Sequence, residues 1–257
     1  MIFDCHIHST FSTDSNMKIE EALQRAKDFG MGLIVTDHMD INYPIEGSFI
    51  FDCNKYFLEY EKYRSSDFLI GIELGLRDDC TFKNKDLVEK YSFDYVIGSI
   101  HVVDGVDIFQ PSFYENRTKS ESYLHYLNFM YKCIKDCDFI DSLGHINYVT
   151  RYARYKDSEL YYNDFKEIID EILKVIAHRE KAIEINTRRL ENKTVAINML
   201  EILKRFKELG GKYITIGSDA HNIESIGANF DIAIEIANES DLDIVYFKNR
   251  QPIVCKY

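Results

Sequence analysis

Proline, glycine and serine are nowhere concentrated in this sequence: three prolines and twelve glycines are scattered through 257 residues. That pattern excludes a flexible linker or a low-complexity segment, and no break in composition divides the chain. Length alone would permit two domains; the even composition points instead to one α/β domain over residues 1–257. No apolar stretch is long enough to span a membrane. The six cysteines, Cys5, Cys53, Cys80, Cys133, Cys137 and Cys255, contain no CxxC pair and form no small-domain disulfide framework. Cys133 and Cys137 share one face of a predicted helix and read as buried free thiols. The chain opens on an apolar run that leads straight to histidines, not on a cleavable leader, so a reducing cytoplasm is the expected compartment. Basic residues are also short, with 31 Lys and Arg against 43 Asp and Glu and a formal net charge of −12. Such a balance argues against broad nucleic-acid or anionic-membrane binding. It does not exclude an anionic substrate, because bound divalent cations reverse the local field.

What the chain does have is a recurrent association of apolar runs with metal-ligating residue types. Met1 to Cys5 leads into His6-x-His8. Gly32-Leu-Ile-Val ends at Asp37-His38, and Phe68-Leu-Ile-Gly-Ile delivers Glu73. Asp94 to Ile100 ends at His101, and Phe139 to Gly144 at His145. Ala182-Ile-Glu-Ile-Asn leads to Arg188 and Arg189, and Tyr213 to Ser218 ends at Asp219-x-His221. Between these runs lie helical patterns: Lys18 to Phe29 with Gly30 placed to end it, and a long helix opened by the capping box Thr118-x-x-Glu121 and running towards Asp136. Further helices are predicted from Phe165 to Ala177, from Thr194 to Leu209 and from about Ile223 to Ala237, with shorter ones around Tyr56 to Tyr63 and Lys85 to Tyr91.

Seven strands alternating with helices imply βα units and a parallel sheet. Functional groups of such sheets gather at the carboxyl ends of the strands. An open doubly wound sheet would concentrate them at one switch point; ligands on nearly every strand favour a closed or nearly closed barrel. Closure would set His6 and His8 opposite Asp219 and His221.

Residues at i and i+2 of a strand share a face, so His6 and His8 can share one metal. Asp219 and His221 are paired likewise, unless the chain turns between them and sends them to different ions. Imidazole and carboxylate suit Zn, Mn or Fe, and the lack of thiolate argues against a structural zinc site. Glu73 is placed to bridge two ions, and Asp14 could fold back over the rim from the first loop. Taken singly, each of these residues has an ordinary explanation: a strand histidine, a turn Asp-His, a carboxylate paired with a base, a core histidine. Recurrence in register with seven strand ends is what carries the reading. His125 and His178 fall in predicted helices and receive no role. Cys5, on the face opposite both histidines, reads as packing.

The segments Asp4-Cys-His-Ile-His-Ser, Phe11-Ser-Thr-Asp-Ser, Thr36-Asp-His, Gly71-Ile-Glu-Leu-Gly, Gly98-Ser-Ile-His, Gly144-His-Ile-Asn-Tyr-Val-Thr-Arg-Tyr, Glu184-Ile-Asn-Thr-Arg and Gly217-Ser-Asp-Ala-His resemble the PHP (polymerase and histidinol phosphatase) family along essentially the whole chain. The Gly144 to Tyr152 and Glu184 to Arg188 segments are most similar to its monofunctional histidinol-phosphate phosphatase branch. The resemblance implies a distorted (β/α)7 barrel with a site for three divalent metal ions at the carboxyl ends of its strands. It places His6, His8, Glu73 and Asp219 on one ion, Glu73, His101 and His145 on a second, and Asp14, His38 and His221 on a third. Some relatives have a histidine where this chain has Asp14; a carboxylate there adds negative charge and favours a harder ion, so the choice among Zn, Mn and Fe stays open. Arg151 and Arg188 are implied as phosphoryl ligands, with Arg154 and Arg189 as competitors at the same strand ends and a surface ion pair as the plain alternative.

The implied reaction is hydrolysis of a small phosphate monoester, L-histidinol phosphate before others, by a hydroxide between two metals that share Glu73. No leaving-group acid is evident: a metal-bound water could serve, and Asp40 and Asp104 are candidates by location only. Asp40, Tyr43, Phe49, Phe109 and Tyr114, in two long loops, could wall the leaving group or simply pack. Three other functions compete: a PHP phosphoesterase for nucleotides, phosphotyrosine or sugar phosphates; a metal-dependent amidohydrolase, which shares the HxH motif; and a metal-binding regulatory protein without activity.

Overall fold

A computed structural model describes residues 1–256. Its strands are β1 (Phe3–Ile7), β2 (Gly32–Val35), β3 (His38–Met39), β4 (Phe68–Gly75), β5 (Tyr95–Ser99), β6 (Val102–Val103), β7 (Val106–Asp107), β8 (Ser142–Leu143), β9 (Ala182–Asn186), β10 (Tyr213–Gly217), β11 (Asp243–Lys248) and β12 (Gln251–Val254). Helices α1 (Ile19–Phe29), α2 (Cys53–Tyr60), α3 (Thr81–Lys90), α4 (Lys119–Asp136), α5 (Lys166–His178), α6 (Lys193–Glu208) and α7 (Phe230–Ser240) fill the connections. The main sheet runs β1-β2-β4-β5-β8-β9-β10-β11-β12, with β3 beside β4. Neighbouring strands from β1 to β11 pair in parallel.

All seven expected strands are present, and the chain folds as the distorted α/β barrel that the resemblance implied. The ring is completed at its carboxyl rim by a parallel bridge between Ile7 and Ala220. There Asp219 N donates to His6 O at 2.7 Å and His8 N to Ala220 O at 2.8 Å. Lower down, β10 turns instead to β11, through Tyr213 opposite Asp243 and Ile214 opposite Ile244. The first and last barrel strands thus meet at the top and are wedged apart below.

The wedge is the antiparallel hairpin β11–β12, which the sequence reading did not anticipate. Val245 and Phe247 join Phe3, Cys5, Ile34, Leu69, Tyr95, Ile97 and Ala182 in one inner cluster. Its turn reaches across the barrel's amino end, where Arg250 N donates to Asp94 O at 2.9 Å and the guanidinium pairs with Asp141. Outside the ring, the alternate strand residues Leu33, Val35, Phe68, Ile70 and Ile72 pack with apolar faces of the helices, such as Ile19, Ala22 and Ala26 of α1.

The capping box forms as read: Glu121 N donates to Thr118 Oγ1 at 3.3 Å, and Thr118 N to Glu121 Oε2 at 2.7 Å. The predicted helix from Ile223 to Ala237 does not form in one piece. A 3-10 turn at Ile223–Ser225 is followed by Gly227 and Asn229 at positive φ, and α7 begins only at Phe230. Tertiary hydrogen bonds hold this break open: Gly227 N to Asp4 Oδ2 at 3.1 Å and Thr187 Oγ1 to Ala228 O at 2.6 Å.

Candidate metal centre

Each barrel strand brings its inward ladder of alternate residues up to the rim. On β4 that ladder is Leu69, Gly71, Glu73; on β9 it is Ala182, Glu184, Asn186. On β1 the alternation is interrupted. The register with β2 shifts between Asp4 and Ile7, so that Cys5 packs in the inner cluster while the adjacent His6 also faces the site. The expectation that Cys5 packs therefore holds, but its placement on the face opposite both histidines does not.

The structure brings all nine candidate ligands together. Glu73, fully buried, sits at the centre. Its Oε2 lies 2.7 Å from His38 Nδ1, 3.4 Å from His6 Nε2 and 3.7 Å from His8 Nε2. Its Oε1 lies 2.9 Å from His145 Nε2 and 3.3 Å from His101 Nε2. Asp219 Oδ1 is 3.2 Å from His8 Nε2 and 3.9 Å from His6 Nε2. Asp14, from the first loop, approaches His221 Nε2 at 3.1 Å and His38 Nε2 at 3.8 Å. The chain does turn between Asp219 and His221: Asp219 has φ 55°, which directs its carboxylate to the β1 histidines and lets His221 face Asp14.

Outer hydrogen bonds fix the rings. His6 Nδ1 donates to Glu184 Oε1 at 2.6 Å, His8 Nδ1 to Ser12 Oγ at 3.0 Å, and His101 Nδ1 to Asp40 Oδ1 at 2.9 Å. With Nδ1 spent outward, Nε2 of each ring is the atom turned to the cluster, and in the neutral ring it carries a lone pair. The buried Nε2 atoms of His6, His8 and His101 and Oε2 of Glu73 find no hydrogen-bond partner. Buried polar atoms without partners are costly, on the order of 1–3 kcal/mol each, so four converging on one point require an explanation. Divalent cations provide one: the donors are imidazole nitrogen and carboxylate oxygen, the set that suits Zn, Mn or Fe. Ligand atoms within 4.8 Å of one another form three groups: His6, His8, Glu73; His38, Glu73, His101; and His8, His38, His221. These share members with the sets implied by the resemblance but differ in two: His8 joins His38 and His221, and His38 joins Glu73 and His101.

The carboxylates make the centre a place for positive charge: against their burial, Glu73 with Glu184 raises the His6 imidazole well above its usual value, and Asp40 with Glu73 does the same for His101. Burial alone would raise the Glu73 carboxyl, but the surrounding His6, His101 and His38 hold it well below the usual carboxylate range. Asp219 is likewise held low against its burial, chiefly by Arg151 and His6. Burial, with His38 and His221 adjacent, keeps the His8 imidazole well below its usual value, in the neutral form a metal requires.

Arg151 and Arg188 both reach this rim. Arg151 is largely but not fully buried, with Nη1 2.6 Å from Asp219 Oδ2, Nη2 donating to Asn186 Oδ1 at 2.8 Å, and its guanidinium 5.0 Å above the Tyr148 ring. Arg188 is half exposed, 3.8 Å from the same Asp219 oxygen. Arg189 is instead engaged with Glu159 and Thr150. The rim recess shared by the two arginines is lined also by Asp14, His38, His101, His145 and His221. Beside it opens a cavity of about 350 Å³ lined by Asp40, Tyr43, Phe49, Phe109 and Tyr152 among others. Tyr114, expected there as wall or packing, packs: it is buried and its hydroxyl donates to Val149 O at 3.0 Å. Asp104 does not line the cavity and pairs with His125 at 2.7 Å, and Asp40 is committed to His101.

Sequence reading gave no role to Glu184, Asp37 or Tyr148. Glu184 accepts from both His6 and the His145 amide, the latter at 2.7 Å. Asp37 Oδ1 accepts from Ser9 N at 2.6 Å and Ser12 N at 3.0 Å, which shapes the loop that carries Asp14. Tyr148 stacks on His145 at 4.7 Å. For Glu184 a signal existed, a carboxylate inside the apolar run of a buried strand, two residues before a polar Asn186. Gly217 permits the arrangement, since a Cβ there would lie 2.4 Å from His6 Cβ and 2.5 Å from Glu184 Oε1.

The family model described as PHP domain matches residues 4–188. A probable histidinol-phosphatase of Clostridium acetobutylicum is 48% identical over 250 residues, covering 97% of this chain and 98% of the relative. The histidinol-phosphatase of Lactococcus lactis is 32% identical over 227 residues, covering 85% and 83%. The crystal structure of histidinol phosphate phosphatase from Lactococcus lactis, complexed with zinc, L-histidinol and phosphate, matches with a TM-score of 0.91 at 28% identity, covering 98% of both chains.

Proposed function

The chain belongs to the PHP family, and from that premise we propose that it is a metal-dependent histidinol-phosphatase, cleaving L-histidinol phosphate to L-histidinol and phosphate. The observation that carries the proposal is the set of unpartnered imidazole and carboxylate atoms converging on Glu73 beside two arginines. The high identity to a probable histidinol-phosphatase over nearly the full length of both chains supports the choice of substrate.

In this reading His6, His8, Asp14, His38, Glu73, His101, His145, Asp219 and His221 would hold three divalent ions of the Zn, Mn or Fe type, with Glu73 at the centre of the set. When bound, such ions supply water activated towards its hydroxide form and polarise phosphoryl oxygens. Arg151 is already ordered by Asp219, Asn186 and Tyr148, so its planar donors meet a phosphoryl group with little loss of freedom. Arg188, half exposed at the rim, closes on the phosphate from the solvent side. Glu184, Asp40 and Ser12 keep the imidazoles turned inward.

The leaving group departs towards the adjoining cavity. Its walls are aromatic and acidic and contain no lysine or arginine. An aromatic cation such as histidinol suits those walls better than the polyanion of a nucleotide does. No described helix is long and apolar enough to cross a membrane. With all six cysteines unpaired and buried, we place the enzyme in the cytoplasm, in histidine biosynthesis.

The test is phosphate release from a panel of monoesters by protein loaded with Mn, Zn or Fe. Preference for histidinol phosphate is expected; turnover spread over nucleotides or sugar phosphates would replace this substrate with another of the same class. Arg188→Ala should raise KM for histidinol phosphate while leaving metal content unchanged, and unaltered kinetics would remove Arg188 from the site.

A further inference from the structure

Three carboxylates, Asp14, Asp40 and Asp107, line the cavity beside the imidazole cluster. Two of them are engaged by imidazoles: Asp14 with His221 at 3.1 Å and Asp40 with His101 at 2.9 Å. Asp107 is different. One oxygen accepts from the Tyr43 hydroxyl and the other from Phe109 N at 2.8 Å. Both donors are neutral, whereas the ion pairs of the cavity's described carboxylates are those of Asp14 and Asp40. Asp40, only 2% exposed, is turned to the imidazole cluster with both oxygens, Oδ1 to His101 and Oδ2 to His38 Nδ1 at 3.8 Å, which leaves Asp107 as the carboxylate available to the cavity. The cavity therefore offers one carboxylate without an ion-pair partner among the described residues, between the aromatic walls of Tyr43, Phe49, Phe109 and Tyr152.

We infer that Asp107 determines leaving-group specificity: its carboxylate receives the ammonium group of the substrate alcohol. This rests on the histidinol-phosphatase reading above and deepens it. Tyr43 and the Phe109 amide hold the carboxylate in place, because each of its oxygens is anchored by a donor from a different segment. The substrate is then oriented by opposite charges at its two ends, the phosphoryl group at Arg151 and Arg188 and the ammonium at Asp107. A neutral alcohol forfeits the second contact, and an anionic one is repelled.

The experiment compares histidinol phosphate with 3-(imidazol-4-yl)propyl phosphate, which lacks only the ammonium, in metal-loaded wild type, D107N and D107E. A charge-assisted hydrogen bond implies a wild-type preference of about 10- to 100-fold in kcat/KM for the amine. D107N should bring that ratio close to unity, mainly by raising KM for histidinol phosphate, and D107E should recover part of it. Metal content and melting temperature are measured on the same samples, and both should match wild type. A ratio unchanged in D107N overturns the inference. So does a wild-type ratio near unity. Either result leaves the phosphatase reading standing. Failure of wild type to hydrolyse either ester overturns the reading and the inference together.

Discussion

The two ends of the barrel are built from the same strands and obey opposite rules. At the amino end, Phe3, Leu69, Tyr95 and Ala182 point inward and meet Val245 and Phe247 of the hairpin. A few residues further along the same strands, His6, Glu73 and Glu184 point inward and are as completely buried. The lower end satisfies itself: Tyr95 stacks on Phe247 at 5.4 Å, and Tyr95, Ser142 and Thr215 close a local hydrogen-bond chain at 3.2 and 3.1 Å. The upper end leaves lone pairs facing one another. Burial without partners is what a folding sequence avoids, and its concentration at one rim marks where stability has been given up for a site.

Four substitutions and one chelation experiment would sharpen or break that contrast. The largest effect belongs to the base. Phe247→Ala removes a buried ring from the plug and should cost about 3–5 kcal/mol of stability, read by denaturant unfolding, while kcat of the molecules still folded stays near wild type. Loss of kcat at unchanged stability would mean that the two ends are not separable.

Next comes the rim. Glu73→Gln should lower kcat by at least about a hundredfold, the scale for losing one organised electrostatic group, with metal content falling in elemental analysis. Its unfolding free energy should drop far less than that of Phe247→Ala. Chelation of the wild type should abolish phosphate release with the fold retained by circular dichroism, and added metal should restore it.

Glu184→Gln tests the layer that positions His6 and His145. Metal affinity should weaken about 10- to 100-fold, as for other outer partners of ligating histidines, measured by competition with a chelating dye. Wild-type affinity would reduce Glu184 to a packing role. Smallest is Thr118→Ala, at neither end, which removes the α4 cap and should cost about 1 kcal/mol with kinetics and metal content untouched.

Much of this was legible in the residues. The seven strands were readable because each is a short apolar run bounded by helical periodicity, and the ligands because parallel sheets place function at strand ends. The capping box of α4 was readable because it is a contact between residues three apart. Glu184 escaped because its partners, His6 and His145, lie on other strands. The hairpin β11–β12 escaped because its role is to fill a space that exists only after the ring has formed. The α7 start was misplaced because Asp4, more than two hundred residues away, holds Gly227 out of the helix.

The sequence by itself determined the order of strands and helices, the residue types that reach the rim and the negative charge that draws cations there, since each follows from local spacing or composition. Tertiary structure alone decided which oxygen of Glu73 faces which imidazole, that a register shift brings both Cys5 and His6 inward, and that Asp107 stands in the cavity without an ion-pair partner among the described residues. Those depend on distances between strands that closure of the ring sets, and no pattern along one strand encodes them.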